Sequence, residues 1–241
     1  MRHSAWMSTV AYYVGLAFLF TLPLREGWMY WLPAIIAIQI VGGLTISAGY
    51  HRLFCHGAYR ASPFWHRLFA ALGVFFMYGS PLQWTVTHAA HHKYSDTDRD
   101  PHNKGAKALL SKSYRNVPLE LWRARRLLRT ERATHQLVDG WYVPLYAAMF
   151  ATMLLISPTF VVMAYLPALG VAHLVGGLHN FLSHDKQGPR DLWFMELIAP
   201  AGGEWLHGTH HNKPGRADFR TRWYHLDPGA TVINWIRARG R

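Results

Sequence analysis

At 241 residues the chain is long enough for one domain, and its 51% apolar and 15% aromatic content is too high for an ordinary water-soluble globule. The formal charge of +12 comes with no recognised nucleic-acid module, which excludes nucleic-acid binding as its explanation and points to a membrane-side surface. A single cysteine, Cys55, excludes an internal disulfide.

Taken in chain order, the first two elements are apolar stretches of about 5–24 and 28–50, each supplying the twenty or so residues that a bilayer-spanning helix needs. Only Arg25, Glu26 and Gly27 join them, so they form a hairpin. The first is read as a retained helix and not a signal peptide, because its apolar core is long and no small-residue cleavage site follows it. Residues of about 64–85 are apolar too, but a crossing here would leave the histidine-rich segments on either side of it about 30 Å apart, across the hydrocarbon layer. This stretch is therefore expected to be an interfacial or re-entrant helix, broken near Pro81. The block from Trp141 to Phe181 would make about 60 Å of helix, enough for two crossings. Ser157-Pro158 is the expected turn, giving spans of about 141–157 and 159–181.

The expectation is a single-domain (1–241), all-α integral membrane protein with four transmembrane helices in two hairpins and a cytosolic helical cap. Charge supports it. In this topology 24 of the 25 Lys and Arg lie on one side and only Arg25 on the other, which the positive-inside rule assigns to the cytoplasm, as in a bacterial inner membrane.

The cap segments carry the chemistry. Nine histidines and one asparagine fall into four short boxes: His51 and His56 in HRLFCH, His88, His91 and His92 in HAAHH, Asn180 and His184 in NFLSH, and His207, His210 and His211 in HGTHH. One zinc site uses three or four protein ligands, so nine imidazoles point to two metal ions held almost wholly by nitrogen. On helices, the i, i+3, i+4 spacing of the HxxHH boxes puts all three rings on one face. His51 and His56 are about 140° apart on an ideal α-helix, so their box needs a helix end, a bulge, or approach to a metal from two sides. Asn180 and His184 share a helical face. Cys55, inside the first box, is read as a small apolar residue. Asp96, Asp98, Asp100 and Glu204 are candidates for orienting the imidazoles, against the plainer reading of a solvated acidic turn. Of the remaining histidines, His102 and His179 are candidates for a part in the site, while core hydrogen bonding is the commoner fate. Trp84 and Trp205, next to boxes, are candidates for lining a substrate tunnel. Trp28, Tyr30, Trp141 and Tyr142 read as interfacial anchors.

HRLFCH, HAAHHKYSDTDRDPHN, NFLSH and GEWLHGTHH, in this order and separated by apolar hairpins, resemble the membrane-bound acyl desaturases, most closely the delta-9 acyl-CoA and acyl-lipid type. The resemblance runs from Gly49 to the C-terminus. It implies an oxygen-dependent enzyme with two iron ions, in which the nine box histidines match iron ligands and Asn180 matches a residue holding one iron through water. It implies a fatty acyl substrate, O2 as co-substrate, and introduction of a cis double bond near the middle of the chain. This sequence departs from the animal acyl-CoA enzymes at Thr85-Val86-Thr87 and Ala89, which leaves the headgroup open between acyl-CoA and acyl-lipid, and at Gly208, where asparagine is common. Electrons are expected from a separate donor such as a ferredoxin, rubredoxin or cytochrome. Arg123, Arg125, Arg126, Arg129 and Arg132 form either its docking stripe or a basic helix on anionic lipid.

Two other readings fit the boxes. A related di-iron hydroxylase, acetylenase or decarboxylase would carry the same ligands. A non-catalytic metal-binding or transport protein would be expected to place its ligands near the bilayer midplane, whereas these boxes lie at or beyond the span ends. A single-zinc hydrolase is weaker, because no Glu stands in an HExxH arrangement.

Overall fold

The structure is a computed structural model that describes residues 2–102 and 131–237, with side chains in the first helix described from Met7 onward. Of the arginine stripe, only Arg132 falls among the described residues.

Helix α1 (Arg2–Phe20) packs along α6 (Pro158–Leu182), and the two backbones touch where Gly15 meets Gly170. A Cβ placed on Gly15 would come within 2.5 Å of the Gly170 nitrogen, so only hydrogen at this position permits the approach. The α1 C-terminus is closed by Arg25, whose guanidinium donates to the Phe18 carbonyl at 3.1 Å and to Thr21 Oγ1 at 2.9 Å. Beyond Gly27 (φ +68°) the chain winds back through a short 3-10 turn into α2 (Leu32–Leu44), which continues without a break as a π-helix, Thr45–Cys55.

The expected helix of about 64–85 is two helices, α3 (Pro63–Phe75) and α4 (Pro81–Tyr94). Proline starts each one, where its missing N–H costs nothing. The break lies before Pro81, in a linker that contains Met77 (φ +54°) and Gly79 (φ +90°). Tyr142 Oη accepts from the Gly79 N–H at 3.0 Å and Tyr50 Oη donates to the Gly79 carbonyl at 3.1 Å, so the turn is tied to two other helices.

Helix α5 (Arg132–Ile156) starts before the apolar block begins and bends at Trp141 (φ −114°, ψ 18°). Pro144, three residues on, cannot donate to the Gly140 carbonyl and crowds it, which accounts for the kink. Ser157 ends α5, and its hydroxyl accepts from the Phe160 N–H at 3.2 Å to cap α6. The chain then makes a two-residue strand pair, β1 (His184–Asp185) with β2 (Gly188–Pro189), a 3-10 turn at Trp193–Leu197, and two short helices, α7 (His207–Asn212) and α8 (Pro228–Ile236).

The protein is thus mostly helical. Three of its helices, Trp28–Cys55, Arg132–Ile156 and Pro158–Leu182, are long and apolar enough to cross a bilayer, and the apolar part of α1, Met7–Phe20, is shorter. The main core gathers Tyr50, Phe54, Phe69, Tyr165 and Leu169 from the π segment, α3 and α6. This packing brings the π segment against α4, the neighbourhood in which the histidines meet.

Candidate metal centre

Local helix geometry decides where each imidazole goes. In the π segment the i→i+5 pattern ends with the His56 N–H donating to the His51 carbonyl at 3.0 Å. Five residues are a little over one turn of such a helix, so two rings that an α-helix would splay apart come together, with centroids 4.9 Å apart. On α4 and α7 the boxes are helical, but their three rings do not act together. His88 and His92, four apart, turn one way, and His91, about 100° round from His92, turns another. On α7, His207 and His211 form the pair and His210 is the outlier. This corrects the expectation that the three rings of each HxxHH box point one way.

Two groups result. His51, His56, His88, His92 and His210 form the first, and His91, His184, His207 and His211 the second, with the ligand atoms in each group all within 4.8 Å of one another. In the first, Nε2 of His51 lies 2.9 Å from that of His210, His210 lies 2.8 Å from His92, His92 2.9 Å from His88, and His88 3.0 Å from His56. In the second, His184 and His207 face each other at 2.8 Å.

The residues fit a pair of metal ions. Metal–imidazole bonds of about 2.1 Å set at right angles would hold neighbouring nitrogens about 3 Å apart, the spacing found here. Buried nitrogens without a hydrogen-bond partner among the described residues include His91 Nε2 and His211 Nε2, both in the second group. Such orphaned lone pairs are costly unless something binds them. Burial, reinforced by neighbouring rings, pushes His92 down to about 3 and His211 to about 2, and His210 and His207 well below the ordinary histidine range. At neutral pH the rings are uncharged lone-pair donors, the form a metal requires. An all-imidazole set suits zinc, copper, nickel or iron in preference to magnesium or calcium.

Carboxylates hold the outer ring nitrogens. His91 Nδ1 lies 3.0 Å from both oxygens of Asp100, and Asp100 also accepts from the His102 and Asp96 backbone N–H groups. Burial alone would raise the Asp100 pKa, but the His91 hydrogen bond and the nearby rings outweigh it and bring the carboxyl to about 2. Asp96, in a left-handed conformation (φ +62°), accepts from His184 Nδ1 at 3.1 Å. Glu204 pairs with His51 Nδ1, and its backbone carbonyl lies 2.9 Å from His179 Nε2. Asp98 is exposed on the turn between Asp96 and Asp100. His102 stacks on His91 with centroids 4.6 Å apart and, with His91 and Asp100, makes a smaller donor cluster. Cys55 is buried, and its thiol points at the Thr85 carbonyl.

Sequence reasoning missed two further groups. Arg52, fully buried beside His51, donates to Asp227 at 2.9 Å and lies 3.7 Å from the centre of the Phe219 ring, tying the first box to the C-terminal segment. Asp191 accepts from both the Thr209 N–H (2.9 Å) and its hydroxyl (2.7 Å), fixing α7 inside the third box. Neither partner is near its mate in the chain, so no local spacing signals them.

A cavity of about 190 Å³ opens at this centre and runs between α2 and α6. His51, His88, His91 and His207 line its head, and Gln39, Gly43, Ala172 and Val175 line its inner part. Asn180, four residues before His184, is partly buried and lines the head as well, although His184 itself lies beyond the end of α6. Trp84 lines the cavity and stacks on His88 with centroids 4.8 Å apart. Trp205 differs from the tunnel expectation. It is fully buried, packs with Met195, Ala199 and Ala201, and donates its indole N–H to the Ala199 carbonyl at 2.7 Å.

A family model described as fatty acid desaturase matches residues 26–236. Acyl-CoA desaturase 1 of Saccharomyces cerevisiae is 27% identical over 220 residues, covering 80% of this chain and 41% of that protein. Delta-9 acyl-lipid desaturase 1 of Arabidopsis thaliana is 25% identical over 234 residues, with 87% and 73% covered, and stearoyl-CoA desaturase of Bos taurus is 27% identical over 237 residues, with 86% and 64% covered. The chain therefore spans between two fifths and three quarters of the length of these relatives. Because the matched region contains both histidine groups and all three membrane-length helices, the chain belongs to the fatty acid desaturase family.

Proposed function

We propose that the protein is an oxygen-dependent fatty acyl desaturase that introduces a cis double bond, in the delta-9 position, into a saturated chain. The observation that carries this reading is the placement of both imidazole groups at the head of a largely apolar cavity between two membrane-length helices. The names of the relatives favour delta-9 chemistry on an acyl-lipid or acyl-CoA.

Two iron ions are the proposed occupants, five imidazoles to one and four to the other, with Asn180 beside the second. When bound, they would supply the dioxygen-dependent oxidation that removing hydrogen from an unactivated methylene demands. The chain's own part is positional. A saturated chain has no polar handle near the reacting carbons, so the cavity walls must set which methylenes stop beside the imidazoles. Asp100, Asp96 and Glu204 keep a proton on Nδ1 of His91, His184 and His51, which leaves Nε2 of each ring free and pointed inward.

We further infer four spans, with α1 as the fourth, in a bacterial inner membrane, and the centre on the cytoplasmic side. The one-sided distribution of Lys and Arg supports this arrangement. A separate ferredoxin, rubredoxin or cytochrome would supply electrons. Mass-spectrometric analysis of lipids from cells expressing the chain tests the reaction. Monounsaturated products absent from a His88→Ala control are expected, and hydroxylated or shortened chains would instead assign the related hydroxylase or decarboxylase outcome.

A further inference from the structure

Between the last proposed span and the third histidine box, residues 192–205 make an excursion whose two ends meet. Asp191 pairs with Leu206 as an antiparallel bridge, and the Leu192 N–H donates to the Trp205 carbonyl at 2.7 Å. The base of this loop is thus pinned beside the metal centre. Its far part runs along the membrane-length helices. The Pro200 carbonyl accepts from Gln39 Nε2 at 3.1 Å, and the Ala201 backbone presses on Gly43, where a Cβ would come within 3.2 Å. Gln39 precedes His51 by twelve residues, up to about 18 Å along the helix, whereas the hydrocarbon layer is about 30 Å thick. Met195, Ala199 and Ala201 pack against Val175, Leu178 and Leu182 of α6.

Two properties of the loop match that depth. Many of its backbone groups are paired within the protein, as irregular chain at membrane depth requires. The buried Glu196 carboxylate accepts from the N–H groups of Ala201, Gly202 and Gly203 at 3.1, 2.8 and 3.0 Å, the Trp205 indole takes the Ala199 carbonyl, and Gln39 takes that of Pro200. Its outer side chains are nevertheless aliphatic and open. Leu197 is 70% and Ile198 73% exposed, an arrangement without benefit in water. Next to them the surface turns aromatic. Trp193 packs on Tyr224 with centroids 5.3 Å apart, and Tyr224 on Trp223, which is 94% exposed. Aliphatic tips flanked by Trp and Tyr reproduce the layering of a bilayer leaflet.

We infer that the 192–205 loop is a membrane-embedded hairpin of the cap, with Leu197 and Ile198 in the acyl-chain layer of the cytoplasmic leaflet and Trp193, Trp223 and Tyr224 at the headgroup level. Its partner is the lipid bilayer itself. The inference rests on α2 crossing the membrane as proposed above and not on the chemistry of the metals.

The test uses single added cysteines, since the native Cys55 is buried and serves as the unlabelled background. Leu197→Cys, Ile198→Cys, Ile36→Cys on the exposed face of α2 and Asp218→Cys on the cap are labelled with bimane in phosphatidylcholine–phosphatidylglycerol nanodiscs. Fluorescence at 197 and 198 should be quenched several-fold more by nitroxide on lipid acyl chains than by aqueous iodide, as at 36, with the reverse at 218. Iodide quenching at 197 and 198 together with lipid quenching at 36 overturns the inference alone. Iodide quenching at 36 removes the spanning helix, and the inference with it. The unaltered protein offers a check free of substitutions: a photoactivatable acyl-chain lipid should crosslink to the peptide containing residues 193–199 above the level at 213–222, and equal labelling would contradict the embedding.

Discussion

His91 and His92 are neighbours in the chain, yet they belong to different imidazole groups, His92 with His88 and His210 and His91 with His184, His207 and His211. Each HxxHH helix therefore bridges both sites. His92→Ala and His91→Ala should each remove roughly half of the bound metal if the two groups load separately, with elemental analysis of purified protein as the readout. Loss of all metal from both variants would show that the groups fill only together.

Asp100 offers both oxygens to His91 Nδ1 at 3.0 Å. Asp100→Asn keeps the shape but loses the negative acceptor that fixes the ring tautomer. Metal affinity at the second group should fall by about 10–100-fold while the first group is unaffected, as measured by competition with a chromogenic chelator.

Removing both metals with a chelator should leave the spans intact and loosen the segments that imidazoles alone bring together. Limited proteolysis should then cut faster between His184 and Arg216, with helical circular dichroism little changed. Unaltered cleavage would mean that the carboxylate and arginine contacts suffice to hold the cap.

Arg52 is fully buried against Asp227 and Phe219. Arg52→Met leaves the Asp227 carboxylate without its main partner and should cost about 3–5 kcal/mol, read as a lower melting midpoint in detergent. Adding Asp227→Asn to that variant should recover part of the loss, because the uncompensated charge is then gone.

Gly73 lies against the ring of the fully buried Tyr50, and a Cβ there would fall inside the phenol. Gly73→Ala should destabilise by about 1–3 kcal/mol or more, since the ring is also held by its hydrogen bond to Gly79. A melting midpoint equal to that of the unaltered protein would contradict the packing described.

The histidines were readable as clusters because metal-ligand spacing is a short-range property, and Asp96, Asp100 and Glu204 were readable because each lies within a few residues of a box. The sharing of each box between two groups was not, because the face argument treats i, i+3 and i+4 as one direction, whereas a spread of about 100° is enough for the outer pair and the third ring to meet different groups. Arg52 with Asp227 and Asp191 with Thr209 left no trace in the sequence, since their partners are distant along the chain or sit in an unremarkable loop. The break near Pro81 was readable because proline favours the first turn of a helix, and α4 starts at that residue.

The π winding of Thr45–Cys55 makes the first box sensitive to chain length. Each turn there carries about one residue more than an α-helical turn, and a one-residue deletion would remove that excess from one turn and let it relax to the tighter coil. His51 would then swing away from its mates while every side chain in the box survived. For this member of the desaturase family, the count of residues between Leu44 and His56 is therefore as much a part of the candidate site as the letters themselves.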